Sequence, residues 1–316
     1  MQQRAVQAGI AGTSLSARVR WYAVRDRNLY LMLLPAFAIF FIFRYVPIFN
    51  GLIIPFVDYD LVGGQWASPW VGFKWFRQFF EDPFFVRIIR NTLLLGVLSL
   101  VFGFPAPIIL ALLFNELRSA AFKRVAQTIS YLPHFIATVV IVGIIYNFFG
   151  FQGIVNTLLG IVGIEPIKFM NDAGWFRPLY VGSGVWQGMG WGAIVYLAAL
   201  AGVNPELYES AVIDGASRWQ QALSITLPSI LPVIQIVLIF AVADIVDVSF
   251  EKVFLMYHPG IYETADVIQT YVYRRGIVGL DFSYGQAIGL FNGVIALILL
   301  VAANWISRKT SESSLW

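Results

Sequence analysis

Six apolar runs, at approximately 29–54, 89–113, 127–150, 178–203, 229–250 and 284–306, leave this chain few ways to fold. A helix crosses a bilayer with roughly 20 mainly apolar residues, and each run is long enough. Lipid offers no partner to backbone N–H and C=O groups, so segments of this length satisfy them internally, as helices. Charge points the same way. Asp, Glu, Lys and Arg make up 12% of the chain, whereas a soluble domain carries about 25% and needs it to cover a water-facing surface. The length alone would admit two soluble domains. The runs instead predict one all-α integral membrane bundle of six helices, with a basic tail over 1–28, a membrane domain over 29–306 and a short tail over 307–316.

Orientation is read from Lys and Arg near the helix ends. The tail holds Arg4, Arg18, Arg20, Arg25 and Arg27. The second-to-third loop holds Arg118, Lys123 and Arg124, the fourth-to-fifth loop Arg218, and the far end Arg308 and Lys309. These place both termini in the cytoplasm. The opposite loops carry positives too, among them Lys74, Arg87, Arg177, Lys252 and Arg274, set against acids such as Asp82, Glu263 and Asp266. The first apolar run is longer than a signal-peptide core and comes after a long tail, so it is read as a retained helix. The net charge of +3 needs only anionic lipid as an explanation, and nothing indicates nucleic acid. With no cysteine in the chain, neither a disulfide nor a thiolate metal site is available.

The polar stretch Asn204–Pro228, between two of the runs, is more elaborate than a turn requires. Asn204 suits a helix N-cap and Pro205 the first turn, where no backbone donor is needed. Asp214-Gly215 is a turn pair. Ser217 and Gln220 have capping-box spacing for a second short helix. The chain then re-enters the bilayer through Ile225-Thr226-Leu227-Pro228. A shaped knob of this kind predicts a docking site for another subunit; an ordinary amphipathic loop is the plainer reading.

Here the chain resembles the permeases of bacterial ABC importers. Glu209, Ala211, Gly215, Ile225, Leu227 and Pro228 match their EAA loop, with Ser210 in place of the middle alanine. Other segments are similar to the oligosaccharide branch. They include Tyr131-Leu132-Pro133-His134-Phe135, Phe250-Glu251-Lys252-Val253, Tyr262 to Ile268, Thr270 to Arg274, Phe282-Ser283-Tyr284, Ala287 to Phe291 and Asn304 to Arg308. The segment Val71 to Phe76 resembles the family's V-G-x-x-N-F but has Trp75 where asparagine usually stands. Within that branch the resemblance is best to alginate importer permeases. It implies a six-helix, type I importer permease of the bacterial inner membrane. It further implies a second permease, sibling or copy, two cytoplasmic ATPases that bind ATP and Mg, and an extracytoplasmic solute-binding protein. The loop would be the coupling helix that docks on an ATPase, with Glu209, Ser210, Ala211, Asp214 and Gly215 at the contact.

The chain itself has no phosphate-binding G-x-x-x-x-G-K-[ST], no nucleophile-elbow serine and no metal-ligand spacing, so no chemistry on substrate is expected of it. Ionisable groups inside spans are costly and usually functional. Arg44 either lines the path, pairs with a carboxylate, or snorkels to the outer interface. Asp244 and Asp247, three residues apart, share a helix face; Asp247 suits an interface, and Asp244 the path. An acidic sugar requires Asp244 to be paired or turned away, because an unpaired carboxylate repels a uronate. Trp186 and Gln187 offer a flat ring and an amide, as sugar recognition uses, among Gly182, Gly184, Gly188, Gly190 and Gly192, which alternatively serve helix packing. Tyr196, Gln286 and Asn292 are weaker candidates for the same lining. His134 and His258 read as packing and loop residues. Two other classes remain: an ion-coupled secondary transporter, which would favour inverted repeats and leaves the EAA-like loop unexplained, and a non-transporting scaffold, which has no use for Arg44 or Asp244.

Overall fold

The computed structural model describes residues 25–310, and the chain divides into two units, up to Val71 and from Gly72 onward. Most of the basic tail predicted over 1–28 lies outside the described residues. A helix has begun by Arg27, and the last helix continues to Thr310 rather than ending at 306.

In the first unit, α1 (Arg27–Phe56) is long and apolar enough to cross a membrane, and its apolar window has no buried residue. It passes Pro35 and a π-turn, Phe41–Tyr45, that carries Arg44. The loop after it folds back on itself. Asp58 N–H donates to Pro69 O at 2.9 Å and Val71 N–H to Phe56 O at 2.8 Å. The Phe56 ring stacks on Trp70 at 5.6 Å.

The second unit opens with α2 (Lys74–Glu81), which buries Trp75 and Phe79. Phe79 meets the Phe291 ring edge-on at 5.3 Å. The long α3 (Phe85–Glu116) is next in the chain. Then come α4 (Ala120–Tyr131), α5 (Thr138–Phe149), α6 (Ile154–Ile161) and α7 (Ala173–Leu200). The hairpin's own first helix, Pro205–Ile213, is α8. After it run α9 (Arg218–Ser229), α10 (Leu231–Val246), α11 (Phe250–Met256), α12 (Ile268–Val272) and α13 (Phe282–Thr310).

Among the described residues, four helices have the length and apolarity to cross a membrane, and a fifth span results if α9 and α10 are one. The remaining predicted run, 178–203, is α7. Its 28 residues reach about 42 Å at 1.5 Å per residue, long enough to span. Its glycines, Arg177 and Gln187 dilute the apolar character.

Two predicted spans are broken rather than continuous. The run 127–150 is not one helix. It leaves α4 at Tyr131, makes a 3₁₀ turn over Leu132–Phe135, and passes Ile136 and Ala137 in extended form before α5. Pro133, buried in the turn, supplies no N–H to continue an α-helix. The fifth span bends by 64° between α9 and α10, where Pro228 and Pro232 flank Ile230. It ends early, in a 3₁₀ turn over Asp244–Val246.

Each break rests on a neighbouring helix at a glycine. A Cβ on Gly96 of α3 would lie 1.8 Å from Ile245 O, and one on Gly190 of α7 1.9 Å from Ser130 O. Both helices therefore approach backbone to backbone, as small residues permit. Side-chain amides then take up the freed carbonyls. Gln187 Nε2 donates to Ile136 O at 3.2 Å; Gln269 Nε2 and Asn292 Nδ2 donate to Val246 O at 2.9 and 3.3 Å.

At the opposite end from the hairpin, charges counted in the sequence as solvent-balanced loop groups form a buried network. Asp266, with no exposed surface, accepts from Arg87 at 3.0 Å and from Arg274 at 3.1 and 2.8 Å. Asn91 donates to Glu263 O and Asp266 O and accepts from Arg177 at 3.0 Å. Removing one partner of such a network leaves a buried charge uncompensated.

Gly96→Ala and Gly190→Ala are expected to destabilise the folded protein by about 3 kcal/mol, because the atom struck is backbone. Gly188→Ala serves as the control, since nothing lies within 4 Å of a Cβ there. Thermal unfolding of the detergent-purified variants measures the difference.

Candidate functional site

The hairpin is built as its residues dictate. Asn204 caps α8, its Oδ1 accepting the Glu206 N–H at 3.1 Å, and Pro205 occupies the first turn. The helix ends in a Schellman motif: Ala216 N–H donates to Ala211 O at 2.9 Å and Gly215 N–H to Val212 O at 3.1 Å. Gly215 sits at φ +76°, the left-handed region that glycine enters without strain. Ser217 and Gln220 form the reciprocal capping box at the start of α9, with Ser217 N–H on Gln220 Oε1 at 2.7 Å.

Within the hairpin Tyr208 Oη donates to Thr226 Oγ1 at 3.1 Å. Arg218 ties it to the rest of the unit, pairing with Glu116 at the end of α3 at 3.3 Å across an exposed surface. The tip presents uncovered apolar side chains: Val212, Ile213 and Trp219 are 63%, 86% and 72% exposed. All three lie on the hairpin, within eight positions of one another. Glu209 is exposed and has no ion-pair partner among the described residues, and Asp214 is exposed beside it. Ser210 turns its hydroxyl to its own helix, donating to Glu206 O at 2.9 Å. Ala211 is half-buried.

A second feature lies inside the unit. A cavity of about 460 Å³ is walled by Gly96, Ser99, Tyr180, Tyr196, Asp244, Asp247 and Ser249, among others. A smaller one of about 290 Å³ shares Ser99, Gly103, Tyr180 and Ser249 with it and adds Thr138, Gln187 and Lys252. The two therefore adjoin, and this lumen of mixed polar and apolar lining is bounded by α3, α7 and the two helix breaks.

Of the path residues predicted from sequence, the structure brings Gln187, Tyr196 and Asp244 to this lumen. It does not pair Asp244 or turn it away, the arrangement expected for an acidic substrate. Asp244 has no ion pair among the described residues, and it faces the cavity together with Asp247 because the helix has already ended there. Trp186 lines a different, apolar cavity with Ile141, Phe149, Pro178 and Leu179. Asn292 is spent on Val246 O and lines neither cavity of the lumen. Arg44 lies exposed on α1 of the first unit. His134 stacks on Trp191 at 4.6 Å, and His258 accepts the Gly260 N–H at 3.2 Å, so both serve packing and turn geometry.

Sequence reasoning missed Lys252, which it placed among the outer loop charges. Its side chain is buried on α11, and Nζ donates to Tyr180 O at 3.1 Å while standing 5.0 Å from that tyrosine's ring centre. Burial pushes its pKa down to about 8. A signal was present: in Phe250-Glu251-Lys252-Val253-Phe254-Leu255-Met256, Lys252 stands one helical turn from Met256, on the apolar face.

Comparison with known proteins closes the assignment. Residues 103–311 match the family described as binding-protein-dependent transport system inner membrane component. The chain is 44% identical to protein LplB of Bacillus subtilis (strain 168) over 301 residues, 94% of each chain. It is 40% identical to the polygalacturonan/rhamnogalacturonan transport system permease protein YteP of the same organism, covering all of this chain and 98% of that one. Two crystal structures are similar in fold and sequence. One is a bacterial ABC transporter involved in the import of the acidic polysaccharide alginate, with TM-score 0.86, 44% identity and coverage of 93% of this chain and 99% of that one. The other is a bacterial alginate ABC transporter in complex with an alginate pentasaccharide-bound periplasmic protein, with TM-score 0.85, 42% identity and coverage of 93% and 98%. With its all-helical build, broken spans and surface hairpin, the chain belongs to the inner membrane components of binding-protein-dependent transport systems, the permease subunits of ABC importers.

Proposed function

We propose that this chain is one permease subunit of an importer that carries an acidic oligosaccharide inward across the bacterial inner membrane. ATP is hydrolysed on separate subunits. The observation that carries the reading is identity of 40–44% over nearly the whole chain to permeases named for polygalacturonan or alginate, both polyuronates. The lumen brings hydroxyl, amide, ammonium and carboxylate groups together where a sugar would pass.

In this reading the hairpin docks on a cytoplasmic ATPase through Val212, Ile213 and Trp219, and Glu209 and Asp214 meet basic groups there. Two ATPases hold ATP and Mg. A second permease completes the pathway, and an extracytoplasmic solute-binding protein delivers the sugar. Nucleotide drives the switch between outward- and inward-open states only by binding them unequally.

Reconstituted with its partners, the complex is expected to hydrolyse ATP severalfold faster with an oligouronate than with a neutral oligosaccharide of equal length. A preference for the neutral sugar sinks the acidic-substrate reading and leaves the permease assignment in place.

Gly215 tests the coupling. Nothing lies within 4 Å of a Cβ there, so a side chain meets no obstacle in this chain; the penalty comes from its backbone conformation. Holding an ordinary residue in the left-handed region costs roughly 1–2 kcal/mol, and asparagine tolerates it best. Gly215→Val is expected to insert and assemble but to lose at least tenfold in sugar-stimulated ATP hydrolysis, whereas Gly215→Asn keeps most of it. Normal stimulation in Gly215→Val counts decisively against the coupling role.

Orientation is checked with single cysteines, since the chain has none of its own. Residues near 120 and 215 should react with an impermeant thiol reagent only after the inner face is opened. Residues near 70 and 165, and the exposed position Glu263, should react from outside.

A further inference from the structure

We propose that Lys252 is the group that reads the substrate's carboxylate: it presents an ammonium to one cavity of the lumen, while Asp244 and Asp247 present carboxylates to the adjoining one, so that a hexuronate residue passes in a single orientation. The inference rests on the reading of this chain as a permease for acidic oligosaccharides and goes beyond it to a specificity-determining residue.

The first support is that Lys252 is 5% exposed yet has no carboxylate within 4.0 Å among the described residues. A buried ammonium without a counter-charge is costly, and a lysine kept only for packing would be better replaced by methionine or leucine. None of Asp244, Asp247 and the adjacent Glu251 pairs with it. Its one side-chain hydrogen bond goes to the neutral Tyr180 O, and an ammonium has three donors. Lys252 also lines the smaller cavity.

The second support is the space around the charge. Gly184 faces it from α7, and a Cβ there would come 3.5 Å from Nζ. The glycine leaves room beside the ammonium that a larger residue would fill. Gln187, Thr138 and Ser249 line the same cavity, so a carboxylate arriving at Lys252 would bring its ring hydroxyls against an amide and two hydroxyls.

The third support is the sign of the neighbouring cavity. Asp244 and Asp247 repel a carboxylate and accept hydrogen bonds from sugar hydroxyls. Both cavities share Tyr180 and Ser249, so one sugar unit meets both signs of charge along a short path. An acidic unit then has one favourable orientation, and a neutral unit has no such preference.

The test uses the whole complex in proteoliposomes, with its ATPase and solute-binding protein. ATP hydrolysis is measured with trigalacturonate and alginate trisaccharide, each beside its carboxyl-reduced neutral counterpart. The binding protein is the same throughout, so a change in the acid-to-neutral ratio belongs to this chain. Lys252→Met, which keeps the length and apolar volume, is expected to lower that ratio at least tenfold; Lys252→Arg should hold it within threefold. A merely structural role would lower both sugars together and leave the ratio alone, which overturns the proposal, as does an unchanged ratio with full activity. Should Lys252→Met fail to copurify with its partners, Asp247→Asn decides. Loss of the repelling carboxylate is expected to raise the response to the acidic trisaccharides relative to the neutral ones severalfold, and no change in their ratio overturns the proposal. If the wild-type complex responds only to neutral sugars, the underlying acidic-substrate reading has failed and takes the proposal with it, a result visible before any variant is made.

Discussion

Everything inside the second unit depends on how two interrupted spans satisfy their backbone. In hydrocarbon an unpaired carbonyl costs several kcal/mol, and a helix that stops inside the membrane exposes its last carbonyls. Here the stops are matched by amide side chains from other helices: Gln187 on Ile136 O, Gln269 and Asn292 on Val246 O. Reaching those carbonyls requires close helix contact, and Gly96 and Gly190 provide it. The lumen lies where the breaks are. Thr138, Asp244, Asp247 and Ser249 all stand at the ends of interrupted helices and line it. Irregular backbone at membrane depth is tolerated where it borders a cavity, so the same interruptions that would be a liability against lipid bring polar groups to the cavity walls.

This explains which features could be read from sequence and which could not. The hairpin was legible almost residue by residue, because its signals are local: Asn204 and Ser217 cap the helices that begin beside them, and Gly215 takes the one conformation that its neighbours require. The apolar runs gave the spans for the same reason. The breaks were half-legible. Pro133 announced a disturbance, but whether a proline kinks or ends a helix depends on whether a distant amide can take the freed carbonyl, and Gln187 lies 51 positions from Ile136. Polar residues in spans were therefore assigned to substrate when part of their work is structural. Asn292 is wholly of this kind as far as its amide nitrogen goes, and Gln187 bonds Ile136 O while also lining the smaller cavity. Lys252 went unrecognised because positive charge near a span end suggests solvent. Only tertiary packing of α11 buries it, against Tyr180.

The charge distribution separates a firm end from a loosely held one. Asp266 is sealed between Arg87 and Arg274, and Asn91 links that network to Arg177, so α3, α7 and the segment before α12 are locked together by buried, charge-assisted bonds. Exposure decides the contrast. The Arg218–Glu116 pair that ties the hairpin to α3 is 56% and 42% exposed, and such pairs contribute only about 0–1 kcal/mol. The hairpin is thus internally rigid, through its caps, yet weakly fastened. These two properties together suit the docking role proposed for it.

The chain path connects the hairpin to the lumen. The hairpin is strung between α7 and α10, and both elements contribute to the walls: Tyr180, Gln187 and Tyr196 on α7, Asp244 at the end of α10. From Leu231 to Val246 the chain is one helix of 13 residues closed by a three-residue 3₁₀ turn, a lever of roughly 24 Å at 1.5 Å per residue. Its near end is the bend at Ile230, a residue with no exposed surface, and its far end is the carboxylate pair. Gly96 pins that far end to α3 at Ile245 O, and α3 is locked to the outer network through Asn91 and Arg87. A displacement imposed on the hairpin therefore cannot slide α10 along its axis without breaking the contact at Gly96.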